Sequence, residues 1–300
     1  MRACPQLTTV DVPEPTRLGL HELADGRRLA WGEWGAADGV AVLLCPGAAT
    51  SRRLGFGADA VDALGIRLIS VDRPGLGASD PAPGRTLRDW ADDIAEFAAG
   101  RGIDDLAVVG YSAGGPFALA CAAAGVASRA AVVAGADEFA VLGDALPGDL
   151  RDMVGAVAAD PAAAEESFAE FGSPEALWKL IVAFSPETDL AVYRNPRFER
   201  AFRRAMADGF AQGAAGYARD TALAMSRWPF AAEEIRVPVD LWYGRLDTSP
   251  SHSPDFGATL ARRIPGARHH VVPDAGGALL WTHAEQILRS LLDPWAPTGG

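Results

Sequence analysis

The 300-residue chain carries 39 acidic against 27 basic side chains, a net charge of −12, and that balance excludes the basic footprint of a nucleic-acid-binding protein. With 49% hydrophobic and 22% charged residues, the composition is globular and sufficient for a sizeable core, not disordered or fibrous. Cys4, Cys45 and Cys121 are too few and too scattered for a disulfide framework or a zinc site, so no metal is expected.

The first residues, MRACPQLTTVDVPEP, lack the apolar stretch of a signal peptide. No window of about 18 apolar residues follows, so a soluble cytoplasmic protein without a membrane partner is expected. Residues 17–34, RLGLHELADGRRLAWGEW, read as two short strands around the Asp25-Gly26 turn, a hairpin signal. The runs VAVLLC (40–45), IRLISV (66–71), LAVVG (106–110) and AAVVAG (130–135) lack polar alternation, as strands buried on both faces do. Between them TLRDWADDIAEFAAGRG sets Leu87, Trp90, Ile94, Phe97 and Arg101 at helical spacing. Thr86 is its expected N-cap and Gly102 lies beyond its end. Strand, helix and strand in repetition predict a mostly parallel sheet with right-handed crossovers.

That rhythm stops near 137 and resumes at VPVDLWYG (237–244) and RHHVV (268–272). Residues 138–229 carry helical patterns only. One helix is expected to open at Asn195 and Pro196 and to line up Phe198, Phe202, Met206 and Phe210 as an apolar stripe. The chain therefore divides into a core, 1–137 with 230–300, and a helical lid, 138–229. The tail beyond about 293 is expected to fray.

GYSAGG (110–115) follows a strand and precedes the apolar run PFALACAAAG. This is G-x-S-x-G in a strand–turn–helix setting, a sharp turn that lifts Ser112 above the sheet edge while Gly110 and Gly114 let strand and helix close up. An ordinary Gly/Ser turn would need no such context. Other motifs accompany it: LLCPGA (43–48), DRPGLGASD (72–80), YGRLD (243–247) and IPGARHHVVPDAGG (264–277). The G-x-G of the second lacks the third glycine of a dinucleotide site and follows the wrong strand for one.

Together these motifs resemble the α/β-hydrolase superfamily, in particular its branch of proline iminopeptidases, haloperoxidase-like esterases and epoxide hydrolases. The resemblance implies an α/β-hydrolase fold of about eight strands with a helical lid, acting without a cofactor. LLCPGA resembles the oxyanion segment of the family, with Pro46 where a histidine usually stands. The resemblance implies that the N–H groups of Ala48 and Ala113 form an oxyanion hole. DRPGLGASD resembles the family's signature turn and is given a structural role. Asp247 stands at the family's position for the triad acid, with Asp137 as the fallback position. In relatives the catalytic histidine follows the last strand; here that position is Gly277.

The third triad member is thus in question. His21 lies in the hairpin, and His269 and His270 lie within the last strand. His252, five residues after Asp247, and His283, placed one and a half turns into the closing helix, are the remaining candidates. Both read more simply as satisfied or solvent-facing histidines. Loss of a triad histidine typically lowers kcat by about 10⁴–10⁶. The expected function is accordingly hydrolysis of a small apolar ester, lactone or thioester with an atypical triad. The alternatives are a non-hydrolytic lyase, isomerase or cyclase of specialised metabolism, or a ligand-binding protein without turnover. On this reading a histidine introduced at 277 would complete the triad. Trp281 and Phe202 are expected at the substrate pocket. Arg194, Arg197, Arg200, Arg203 and Arg204 form a basic run that reads as a solvated helix face or as a contact for a phosphate or carrier protein.

Overall fold

The computed structural model describes residue 10 and residues 12–293; Cys4 and the expected fraying of the tail lie outside them. The hairpin forms as β1 (Arg17–Glu22) and β2 (Arg28–Gly35), antiparallel around Asp25-Gly26. β3 (Val40–Cys45), α1 (Ala58–Ala63), β4 (Ile66–Val71), α2 (Leu87–Gly100), β5 (Ala107–Tyr111), α3 (Gly115–Ala123) and β6 (Arg129–Val133) continue the alternation. The sheet is completed by β7 (Val239–Gly244), α10 (Ala258–Arg263) and β8 (Arg268–Val272), and the chain closes with α11 (Leu279–Thr282) and α12 (Ala284–Leu292). The strand order is β1-β2-β4-β3-β5-β6-β7-β8. β1 and β2 run antiparallel and the other six are mutually parallel. The order reverses between β3 and β5, so the chain segments leaving those two strands diverge at their carboxyl ends.

The apolar runs become strands because both faces are covered. β5 is buried at every residue, and Val108 packs in one cluster with Trp90, Ile94 and Phe97 of α2 while Val109 packs in the other with α12. α2 starts where its cap requires: the Thr86 hydroxyl accepts from the Asp89 N–H, and the Asp89 carboxylate accepts from the Thr86 N–H.

A helical insertion separates β6 from β7. It comprises α4 (Gly148–Ala159), α5 (Pro161–Phe171), α6 (Pro174–Ala183), α7 (Glu187–Tyr193), α8 (Pro196–Gly209) and α9 (Ala215–Met225). The Asn195 carboxamide caps α8 as expected, accepting from the N–H groups of Arg197 and Phe198. Phe198, Phe202 and Met206 are buried, whereas Phe210 is half-buried against Tyr217. The insertion is docked backbone to backbone. The Ser51 N–H donates to Ala205 O at 3.0 Å, and a Cβ on Gly209 would collide with the Ala49 carbonyl. No helix of the described residues is long and apolar enough to cross a membrane. Cys45 and Cys121 are free and buried.

Candidate active site

Ser112 stands immediately after β5 with φ 52°, a left-handed conformation that a non-glycine residue adopts only when its surroundings impose it. Two glycines let the surrounding chain close tightly on it. A Cβ on Gly110 would crowd Ala118 and the Gly114 carbonyl, and one on Gly114 would overlap the Cys45 carbonyl. The turn is therefore a nucleophile elbow, wedged between α3 and the end of β3. A Cβ at Gly47 would lie 3.7 Å from that of Ser112, so LLCPGA runs beside the nucleophile. Ala48, Ala113 and Ser112 are half-buried.

His252 corrects the sequence reading. It is neither solvent-facing nor satisfied elsewhere: its Nε2 lies 2.8 Å from Ser112 Oγ and its Nδ1 lies 2.6 Å from Asp247 Oδ2. Acid, imidazole and hydroxyl form one continuous hydrogen-bonded chain with only 9% of the histidine exposed. The loop after β7 folds back to deliver the ring. The Ser249 N–H donates to Asp247 Oδ1 at 3.0 Å, the His252 N–H donates to Ser249 O at 3.2 Å, and the Ser253 N–H donates to Gly135 O at 3.0 Å. His252 is thus tethered on both sides. Burial alone would raise the Asp247 carboxyl, but the adjacent imidazole and the N–H groups of Ser249 and Thr248 outweigh it and hold the acid below its ordinary range.

Gly277 lies against this pair. A Cβ there would sit 3.1 and 3.2 Å from the Asp247 carboxylate oxygens and 3.2 Å from His252 Cε1. The space beside 277 is filled by an imidazole from another loop, so a histidine introduced at 277 would collide with Asp247 and His252.

The other candidates fall away. His283 does not lie within the closing helix. It interrupts it, between α11 and α12, with Nδ1 2.9 Å from the Thr282 hydroxyl, and burial lowers its pKa. Asp137 accepts from the Glu138 N–H at 2.8 Å and from the Ser253 hydroxyl at 3.3 Å; it supports the loop beside His252 and pairs with no histidine. Its burial raises its pKa. His269 meets Phe256 O and His270 meets Asp240 on the far edge of the sheet, and His21 packs edge-on against Phe97.

Trp281 and Phe202 are both buried, at 7% and 4% exposure, and their rings meet at 5.8 Å. Trp281 also meets Tyr111, the residue before the nucleophile, at 4.8 Å, and Phe198 at 4.9 Å. Its indole N–H is satisfied by Gly55 O at 3.1 Å. The insertion and the elbow therefore share one buried aromatic cluster. Of the basic run, Arg203 pairs with Glu199 and covers Trp178, and Arg204 pairs with Glu14; those two charges are engaged within the chain.

One group escaped the sequence reading within DRPGLGASD. The Arg73 guanidinium is fully buried and donates to Pro46 O at 2.7 Å, to Gly47 O at 3.0 Å and to Asp220 Oδ2 of α9 at 2.6 Å. In a planar trans peptide the N–H points opposite to the carbonyl. Fixing Gly47 O on Arg73 therefore aims the Ala48 N–H the other way.

The chain belongs to the α/β hydrolase family, whose model matches residues 42–289. Among solved structures it is similar to a hydrolase from Pseudomonas aeruginosa PA01, at 20% identity over 93% of this chain and 99% of that one, with a TM-score of 0.65. It is also similar to an enol-lactonase from Burkholderia xenovorans LB400, at 20% identity over 92% and 98% with a TM-score of 0.66. The esterase EaEST from Exiguobacterium antarcticum matches at 17% identity over 91% and 97%, with a TM-score of 0.63. At these identities the likeness is one of fold. No curated protein sequence matches the chain.

Proposed function

We propose that the protein is a serine hydrolase that cleaves a small, mainly apolar carboxylic ester, lactone or thioester through an acyl-enzyme. The observation that carries this is the unbroken path Asp247–His252–Ser112, at 2.6 and 2.8 Å. Ser112 Oγ attacks the substrate carbonyl as His252 Nε2 takes its proton; Asp247 holds the ring by Nδ1 and stabilises the imidazolium. The carbonyl oxygen gains charge between the N–H groups of Ala48 and Ala113, each such donor contributing about 3 kcal/mol to the transition state. His252 then returns its proton to the departing alcohol or thiol, and water attacks the acyl-serine by the same route in reverse. Residues 138–229 serve as the cap and the remainder as the catalytic core.

The half-buried nucleophile and the aromatic cluster from Tyr111 to Phe198 support a compact apolar acyl group. The enol-lactonase and the esterase among the similar structures point the same way. The non-hydrolytic and binding-only readings rested on a missing base, and a histidine on Ser112 leaves them without a motivating observation. Turnover of p-nitrophenyl acetate and butyrate and of a short-chain lactone tests the proposal. Hydrolysis that disappears in Ser112→Ala supports it. No turnover of any of them by the folded enzyme, or Ser112→Ala as active as the wild type, would overturn it.

A further inference from the structure

The insertion contributes a carboxylate that the triad does not account for. Asp189, in α7, is 3% exposed. Its Oδ2 accepts from the Gly277 N–H at 2.7 Å and its Oδ1 from the Ala278 N–H at 3.1 Å. No arginine or lysine pairs with it among the described residues. A carboxylate buried without a cation is costly, and two backbone donors compensate only in part. Accordingly, burial pushes the Asp189 carboxyl up to about 6, against the lowering effect of the two N–H groups.

The backbone is shaped around it. A Cβ at Gly276 would overlap the Asp189 carboxylate, and one at Gly277 would press on Asp247 and His252. Asp189, the 276–278 backbone and the triad pair therefore stack in series, separated by two residues that have no side chain. The ionisable groups facing Asp189 are Asp247 and His252 from the loop after β7, Tyr111 from β5 and Tyr193 from its own helix. Both phenols are pushed up, chiefly by burial, and stay neutral. Asp274, in the same loop as Gly276, is exposed. The sole cation that can arise in this group is protonated His252.

We propose that Asp189 is a positioning residue for the reaction, seating the 276–278 backbone against the Asp247–His252 pair and adding a second negative charge beside the imidazolium formed when Ser112 is deprotonated. This rests on the reading of His252 as the base. It assigns the cap a part in the chemistry: a change that undocks α7 removes both the brace and the charge.

Two variants separate the two effects. Asp189→Asn removes the charge and one acceptor. Its kcat is expected to fall about 10-fold with KM little changed, and the acid limb of its kcat/KM profile is expected to move to lower pH, because the imidazolium loses a neighbouring anion. Gly276→Ala keeps the charge but displaces the carboxylate, so kcat should fall while the acid limb moves less. It also carries the test if Asp189→Asn does not fold, as judged by thermal melting. A folded Asp189→Asn with wild-type kcat and an unmoved acid limb would overturn the proposal, as would wild-type kcat in Gly276→Ala. Failure of the underlying reading looks different: His252→Ala would then retain activity whatever happens at 189.

Discussion

Replacing Gly277 by alanine tests how tightly the triad is enclosed. Its backbone has no positive φ, so alanine meets no conformational barrier and the added methyl alone is the perturbation. That methyl would sit 3.1–3.2 Å from three atoms of Asp247 and His252, tighter than the roughly 3.5–4.0 Å at which carbon contacts are comfortable. Acid and imidazole must therefore yield by a few tenths of an ångström. Their hydrogen bonds, at 2.6 and 2.8 Å, have no slack in which to hide such a shift. If a misplacement of 1 Å costs about 100-fold in rate, 0.3 Å costs about fourfold. Gly277→Ala should therefore lower kcat by about 3- to 10-fold with KM near wild type, and Gly277→Val, whose branches reach further, by about 100-fold or more. Saturation kinetics with a p-nitrophenyl ester, with thermal melting as a folding control, measures both. Wild-type kcat in Gly277→Val would show that the 277 backbone does not press on the triad and would refute the reasoning. Gly277→His should likewise lose activity.

Three other outcomes follow from the same geometry. Asp247→Asn should lower kcat by about 10⁴-fold by stabilising the wrong imidazole tautomer, whereas Asp137→Asn should leave kcat within about threefold; equal losses in ester hydrolysis would contradict the assignment of the acid. Arg73→Met should lower kcat and also destabilise the fold by about 1–3 kcal/mol, since the Pro46 and Gly47 carbonyls lose their donor while Arg85 still pairs with Asp220; denaturant titration beside kinetics checks both, and wild-type kcat in a folded variant would count against Arg73 orienting the Ala48 N–H. Asp189 also predicts a pH dependence of stability. Its carboxyl is raised from the ordinary value near 3.8 to about 6, so the folded state binds the proton more tightly than the unfolded chain. That contribution is fully present below about pH 4 and is lost as pH rises through 6. Urea unfolding at pH 4.5, 5.5 and 7 should show this component in the wild type and not in Asp189→Asn; parallel curves for the two would disprove it.

Much of the scaffold was legible from local pattern. VAVLLC and IRLISV occupy the very residues of β3 and β4, because short, mainly apolar runs bounded by polar and Gly residues mark buried strands; RHHVV coincides with β8, the half-buried edge strand. The elbow was equally plain, since its glycines and its place between a strand and an apolar helix are sequence-local. The base was not. His252 is brought to Ser112 across 140 positions by a loop whose path depends on hydrogen bonds from Ser249 and Ser253, and spacing alone does not reveal such tethers. The available signal was TSPSHSPDFG, a stretch so rich in turn-forming residues that the chain had to reverse near Asp247. Asp189 and Arg73 were hidden for another reason: Asp189 works through main-chain N–H groups and Arg73 largely through main-chain carbonyls, and no side-chain pattern announces those.

Labelling of the nucleophile by a fluorophosphonate tests most directly whether His252 activates Ser112. The wild type should form a single covalent adduct on Ser112 by mass spectrometry. His252→Ala should react at least about 10³-fold more slowly and His283→Ala at the wild-type rate. Wild-type labelling of His252→Ala, or an adduct on any residue other than Ser112, would contradict the account.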